Sequence, residues 1–313
     1  MKKASRGIAI AGVLAVVPVL DGATGAEMID PAVAMADADA DAVAQASMAG
    51  EDLAKASQNP VSSLISVPLE NNFFFGIGPS DSMAYAMIAK PVIPMQLGDI
   101  NLVNRFIFPV LYTEGQDTED VANVLGVTEE AVQIGFTSGG GPDFGSKWGV
   151  GDLTYQGFFT AAEPKDVIVG IGPALTFPTH SDDRFGSDKW SAGPAVVVLT
   201  MPGNWVVGCL LQHSWSYAGP DDAADVNKST FQYFLNYNFE DGWYASMSPV
   251  ITKNWEGTNG NRWTVPVGGG IGKLHKFGDQ PVDFKLLGYY NVAHPEFGAD
   301  WQLQFTVKFL FPQ

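Results

Sequence analysis

The chain has 313 residues, 46% hydrophobic and only 16% charged, with 35 Gly, 20 Phe, 9 Tyr and 8 Trp and a formal net charge of -17. So few charges, against the ~25% of an average soluble protein, beside so many aromatic side chains fit a surface that meets lipid. The acidic balance excludes a nucleic-acid partner, which would need a basic stripe; no stretch after the N-terminus reaches the ~20 apolar residues of a spanning helix, which excludes an α-helical membrane protein.

In chain order, Lys2, Lys3 and Arg6 precede an apolar run from Gly7 to Leu20 and small residues at Ala23, Thr24 and Ala26. That order reads as a secretory signal over residues 1–26, cleaved near Ala26. No cysteine lies near it to carry a lipid, and Cys209, alone in the chain, can form no internal disulfide. Residues 27–60 make an acidic leader rich in Ala and Asp. Asp37, Asp39 and Asp41 are spaced like a calcium loop, but Ala42 and Met48 stand where that loop needs Gly and Glu, so no metal site is assigned. Glu51 to Gln58 could form two turns of helix. Two readings stay open for it: a flexible periplasmic leader, or a helix tucked into a barrel lumen as a partial plug.

From residue 61 to 313 the pattern becomes regular. Strand-like segments fall at 61–76, 82–96, 99–113, 148–162, 166–178, 189–201, 204–217, 228–240, 242–255, 261–274, 281–292 and 300–311. The predicted fold class is all-β, a transmembrane antiparallel β-barrel of about twelve strands. Short joins such as "LGD" (97–99), "MPGN" (201–204) and "EDG" (240–242) alternate with longer ones at 114–147, 179–188, 218–227, 256–260 and 293–299. That parity belongs to a barrel with tight periplasmic turns and longer outer loops, and an even count leaves both chain ends on the periplasmic side.

Alternation assigns the faces. In "WQLQFTVKFLF" (301–311), Trp301, Leu303, Phe305, Val307, Phe309 and Phe311 share one face, and Gln302, Gln304, Thr306 and Lys308 share the other. The apolar set is expected to face lipid and the polar set a hydrophilic interior. Phe231, Tyr233, Leu235, Tyr237 and Phe239 are placed outward in the same way, with Gln232, Asn236 and Asn238 inside; Phe284, Leu286 and Tyr290 are outward, with Asp283, Lys285, Tyr289 and Asn291 inside. All eight tryptophans fall at predicted strand ends: Trp148, Trp190, Trp205, Trp243, Trp263 and Trp301 open strands, and Trp215 and Trp255 close them. Indoles gathered there are expected to form aromatic girdles at the headgroup levels. Lys90, Arg105, Asp283, Lys285 and Lys308 are the lumenal candidates for selectivity, with Arg262 near a rim; a ring biased to Lys and Arg favours anionic cargo.

Catalysis finds no constellation. In "QHSWSY" Ser214 lies next to His213, and neighbouring residues of a strand point to opposite faces, so no nucleophile–base pair forms there. His180 and His294 fall in loops, and His275 lies near a periplasmic turn. The glycine runs "GVGD", "GIGP" and "GGGIG" have no helix following them to cradle a phosphate. No enzyme activity, metal or cofactor is assigned. The outer loops are acidic, with Glu114, Asp117, Glu119, Asp120, Glu129, Glu130 and Asp143 against Lys147, then Asp182, Asp183, Asp221, Asp222 and Asp225. Divalent cations could bridge such a rim to lipopolysaccharide.

"NPVSSLISVPLENNFFFGIGPSD" (59–81), "GIGPALTFPT" (170–179), "DKWSAGPAVVVLTMPGNWVVGCLLQHSWSYAG" (188–219) and the closing "WQLQFTVKFLFP" resemble the MetA-pathway of phenol degradation family of exported bacterial proteins, over roughly residues 50–313. The resemblance implies an outer-membrane β-barrel and uptake of hydrophobic or aromatic compounds, and it brings no catalytic residues. Barrels of this kind are expected to meet outer-membrane lipid, lipopolysaccharide and the barrel assembly machinery. That machinery commonly reads a terminal aromatic residue, whereas here Phe311 is followed by Pro312 and Gln313. The expected role is a channel or transporter for small or hydrophobic molecules, aromatic or anionic ones among them. The alternative is a structural or adhesion-type barrel with a blocked lumen and working outer loops.

Overall fold

The computed structural model describes residues 52–125, 145–163, 166–257 and 260–312. The signal at 1–26, the leader up to residue 51 and most of the long acidic loop lie outside the described residues. Residues 52–58 form a short helix, α1. Twelve strands follow. They are β1 (Ile65–Ile77), β2 (Ser82–Ala89 and Val92–Leu97), β3 (Ile100–Thr113), β4 (Lys147–Val150 and Leu153–Ala161), β5 (Val167–Phe177) and β6 (Trp190–Thr200). The second half comprises β7 (Trp205–Ala218), β8 (Asn227–Asn238), β9 (Trp243–Met247 and Val250–Asn254), β10 (Trp263–Phe277), β11 (Gln280–Ala293) and β12 (Trp301–Phe311). A second helix, α2 (Thr118–Leu125), sits in the long join after β3.

Three strands are interrupted, two of them at a proline. Pro91 and Pro249 carry no N–H and drop out of the ladder. At the Lys90–Pro91 break, the Lys90 N–H still reaches Pro68 O at 2.9 Å and Phe106 N–H reaches Pro91 O at 3.1 Å; in β4, Gly151 N–H reaches Pro109 O at 2.9 Å. At these two breaks the named backbone groups keep partners on the neighbouring strand.

Every strand pairs antiparallel with its neighbours in sequence, and β1 pairs with β12 from Ile65–Phe311 to Phe75–Trp301, which closes the sheet. Closure leaves no edge, as a sheet in hydrocarbon requires. The join between β2 and β3 is only Gly98 and Asp99, and Gly98 has φ +66°, a left-handed value that a hairpin this tight demands and glycine adopts without strain.

The alternation of β12 appears as expected. Trp301, Leu303, Phe305 and Phe311 are exposed on the outer wall, while Thr306 and Leu310 are buried inside. Polar groups on the outer wall are satisfied across strands: Tyr85 O–H donates to Asn71 Oδ1 at 2.6 Å, and Tyr155 O–H donates to Asn104 Oδ1 at 2.8 Å.

One expectation needs correction. The interior is not hydrophilic throughout. Phe158, Ile168, Ala174, Val197, Leu199, Val206, Leu210 and Phe234 point inward and form a buried apolar cluster. The stretches "VIVGIGPAL" (167–175), "AVVVL" (195–199) and "WVVGCLL" (205–211) are apolar on both faces, the mark of a strand covered on both sides. The wall from β4 to β7, with Phe234 of β8, thus packs much of the barrel's cross-section with side chains, as small barrels do. Polar side chains line the remaining arc, from β8 through β12 to β1, β2 and Arg105 of β3.

Candidate functional site

The strand register places the polar arc in rows. Tyr244 pairs with Gly272, Gly272 with Lys285, Lys285 with Thr306 and Thr306 with Glu70, so these five stand side by side on the inner wall. The adjacent row joins Leu274, Asp283, Lys308 and Pro68. Gly272 is needed in its row, because a Cβ there would lie 2.1 Å from Tyr244 Cζ. The space lets the Tyr244 ring lie flat across the wall and donate its O–H to Asp283 Oδ1 at 2.7 Å.

Lys90, Arg105, Asp283, Lys285 and Lys308, five of the six lumenal candidates, line one cavity of ≈ 110 Å³ together with Glu70, Gln232, Phe234 and Val92. That is room for several water molecules. Arg262, the sixth, is elsewhere: it lies in the join after β9, where its Nε donates to Gly257 O at 2.7 Å. The cavity wall carries four cations and two carboxylates. Lys90 Nζ meets Glu70 Oε2 at 2.5 Å, and Lys308 Nζ lies 3.8 Å from Asp283 Oδ2. Arg105 and Lys285 have no carboxylate partner among the described residues.

Helix α1 forms the floor. Ala54, with Leu53 beside it, packs against inward-facing Leu274 and Leu310. Lys308 Nζ donates to Ser57 O at 2.7 Å, and Gln58 Nε2 donates to Asn238 Oδ1 at 2.7 Å while Asn238 Nδ2 returns a bond to Gln58 Oε1 at 3.3 Å. These contacts set residues 52–58 against inward-facing side chains of β8, β10 and β12. A second cavity of ≈ 380 Å³ lies between α1 and the rim formed by Asn101, Thr160, Ala161, Ile168 and Met201.

All eight tryptophans are 41–61% exposed on the outer wall. Trp148, Trp190, Trp215, Trp255, Trp263 and Trp301 lie at the end with long joins, and Trp205 and Trp243 at the end with short ones. Lys253 Nζ sits 3.2 Å from the Trp255 ring centroid and Lys273 Nζ 4.6 Å from that of Trp243, as lysines do when their stems lie on an apolar surface and their ammonium groups reach the interface.

At the outer end, the join 178–189 is tied down by ion pairs. His180 Nδ1 lies 2.7 Å from Asp152 Oδ1 and its Nε2 lies 3.3 Å from Asp188 Oδ1. The hydrogen bond to Asp152, then the negative field of Asp152, Asp188 and Asp183, raises the His180 pKa against the opposing effect of its burial. Lys147 and Arg184 hold the Asp182 carboxyl well below the usual range.

Residues 102–307, two thirds of the chain, match the model of the family described as "Putative MetA-pathway of phenol degradation". The chain belongs to this family. Among solved structures, the COG4313 outer membrane channel from Pseudomonas putida F1 superposes with a TM-score of 0.56 at 16% identity, covering 81% of this chain and 97% of that one. The NanC porin (TM-score 0.44, 8% identity, 80% and 100% covered) and the CymD monoaromatic hydrocarbon channel (0.38, 11%, 84% and 92%) share strand architecture too loosely to carry an argument. No curated protein matches the sequence. The protein is an outer-membrane β-barrel of twelve strands.

Within the family fold, three lumenal residues escaped the sequence reading. Glu70 lies in "LENNFFF", where polar and aromatic residues fall on both faces and period two is silent. Tyr244 shows its inward role only through its bond to Asp283, 39 residues away. Lys228 was legible: it precedes Thr230 and Gln232 on the inward set of β8 and pairs with inward Ser214.

Proposed function

We propose that this barrel is a passive channel for small solutes, narrowed at its periplasmic end by α1 and biased toward anions by its lumenal cations. The observation that carries the reading is the charged cavity, large enough for several water molecules, set against a barrel wall whose outer face is apolar. Rings of fixed charge in a pore select by sign, and here Lys90, Arg105, Lys285 and Lys308 outnumber Glu70 and Asp283. Val92 and Phe234 on the same cavity supply an apolar side, which suits solutes with a hydrophobic portion. No residue takes the role of a nucleophile or a general base in this reading; lumenal side chains bind and exclude.

A second reading has its own support. α1 is held by several hydrogen bonds, and the β4–β7 wall is packed, so a closed scaffold whose outer loops act is the competing account. Liposome swelling separates them. Proteoliposomes should swell in small solutes, faster when residues 52–58 are deleted. If neither form swells although both migrate as folded, heat-modifiable barrels, the scaffold reading stands.

A further inference from the structure

We infer that the cavity above α1 is a binding subsite for a single carboxylate carried on a compact apolar body. The inference deepens the channel reading, and its role in transport rests on that reading, but binding itself does not require conduction.

The carboxylates on the wall are already engaged. Glu70 Oε2 receives Lys90 Nζ at 2.5 Å and Gln304 Nε2 at 3.2 Å; Asp283 receives the Tyr244 hydroxyl on Oδ1, while Lys308 stands 3.8 Å from Oδ2. Two cations are left over. Among the described residues, Arg105 Nε and Nη1 are buried with no hydrogen-bond partner, and Lys285 has no carboxylate within 4.0 Å. A buried donor without an acceptor is costly, more so on a charged group. A cation would aggravate the imbalance. A neutral solute would leave it in place.

An anion relieves it, and the chemistry narrows which anion. The planar guanidinium of Arg105 matches a carboxylate, with which it can form two parallel bonds. Glu70 and Asp283 on the same wall oppose a doubly charged ligand. Val92 pairs directly with Arg105 across β2 and β3, and Phe234 enters from β8, so the region beside the cations is apolar. A carboxylate with an aromatic or branched aliphatic body satisfies both halves at once.

The test is calorimetric titration of the folded full-length barrel in detergent with benzoate, benzamide and acetate. Benzoate should bind. Loss of a charge-assisted bond in R105Q or K285Q should weaken it by about tenfold or more, and benzamide and acetate should each bind the native barrel at least about tenfold more weakly, lacking the charge or the apolar body. K228Q, altering an inward lysine that does not line the cavity, should stay within about twofold, since distant exposed charges are screened. Absence of benzoate binding, equal binding of benzamide, or undiminished binding by K285Q would overturn the subsite; K285Q decides should R105Q fail to fold. Binding retained in a barrel that does not conduct overturns the channel reading alone, and conduction without binding overturns the subsite alone.

Discussion

Replacing both uncompensated cations, Arg105 and Lys285, by glutamine removes two positive charges from a cavity wall whose charge sums to +2, from four cations and two carboxylates. An ion passing about 7 Å from each charge gains about 0.6 kcal/mol per charge in a water-like dielectric, so about 1.2 kcal/mol is lost, or about sevenfold in anion occupancy. Salt halves this: with a Debye length of ~10 Å at 0.1 M the loss falls to about threefold, whereas at 0.01 M, where the length is ~30 Å, about four fifths of the energy survives, or about fivefold. The assay is the zero-current potential of single channels in a planar bilayer across a tenfold KCl gradient, run at both ionic strengths. The native barrel should be anion-selective and R105Q/K285Q near neutral, with the difference larger at low salt. A cation-selective native channel, or the same reversal potential in both proteins, would refute the electrostatic account of the lumen.

Loosening α1 by K308Q/N238A removes the Lys308–Ser57 and Gln58–Asn238 bonds and leaves, of its hydrogen bonds to the wall among the described residues, only the 3.5 Å contact of Ser57 Oγ with Asp283 Oδ2; the lost bonds are worth about 1 kcal/mol each for the neutral pair and about 1.5–3 for the charged one. Single-channel conductance should rise, and an unchanged value would show that α1 is not the constriction. G272V drives a side chain into the Tyr244 ring, and overpacking of this kind costs about 1–3 kcal/mol. The urea midpoint for loss of the heat-modifiable band should fall, and an unaltered midpoint would mean that the ring moves freely. His180 in the outer join has a raised pKa, so the stability it lends is fully present below its ordinary value of about 6.5 and is lost as pH climbs through the higher folded value. Proteolysis of the join 178–189 should therefore accelerate as pH rises through a value above about 6.5 in the native protein but show no such step in H180Q. A pH-independent rate in the native protein would rule out the His180 latch.

What could be read from the sequence follows from the physics of each signal. In β12 each residue meets either lipid or lumen, so period two emerges intact, and the strict exchange of short and long joins reports topology without any knowledge of contacts. Inward placement of Lys90, Arg105, Lys285 and Lys308 follows from parity alone. Parity fails where both faces share one chemistry. The apolar inner wall of β5 to β7 reads like an outer wall, so the packed half of the interior was invisible, and "LENNFFF" in β1 hid Glu70. Contacts between distant residues leave no local trace. α1 meets its partners at sequence separations of 180 and 251, and only the assembled barrel shows that Gln58 reaches Asn238 and Lys308 reaches Ser57.

Depth-resolved labelling of β12 tests the inversion on which every functional statement rests. Single cysteines would be placed at 302 through 307 in a Cys209→Ser background, and each labelled fluorophore challenged with a lipid-borne quencher and a water-soluble one. Positions 303, 305 and 307 should respond to the lipid quencher, and positions 302, 304 and 306 to the aqueous one or to neither. The opposite phase, or no alternation at all, would contradict a barrel with its apolar wall turned outward.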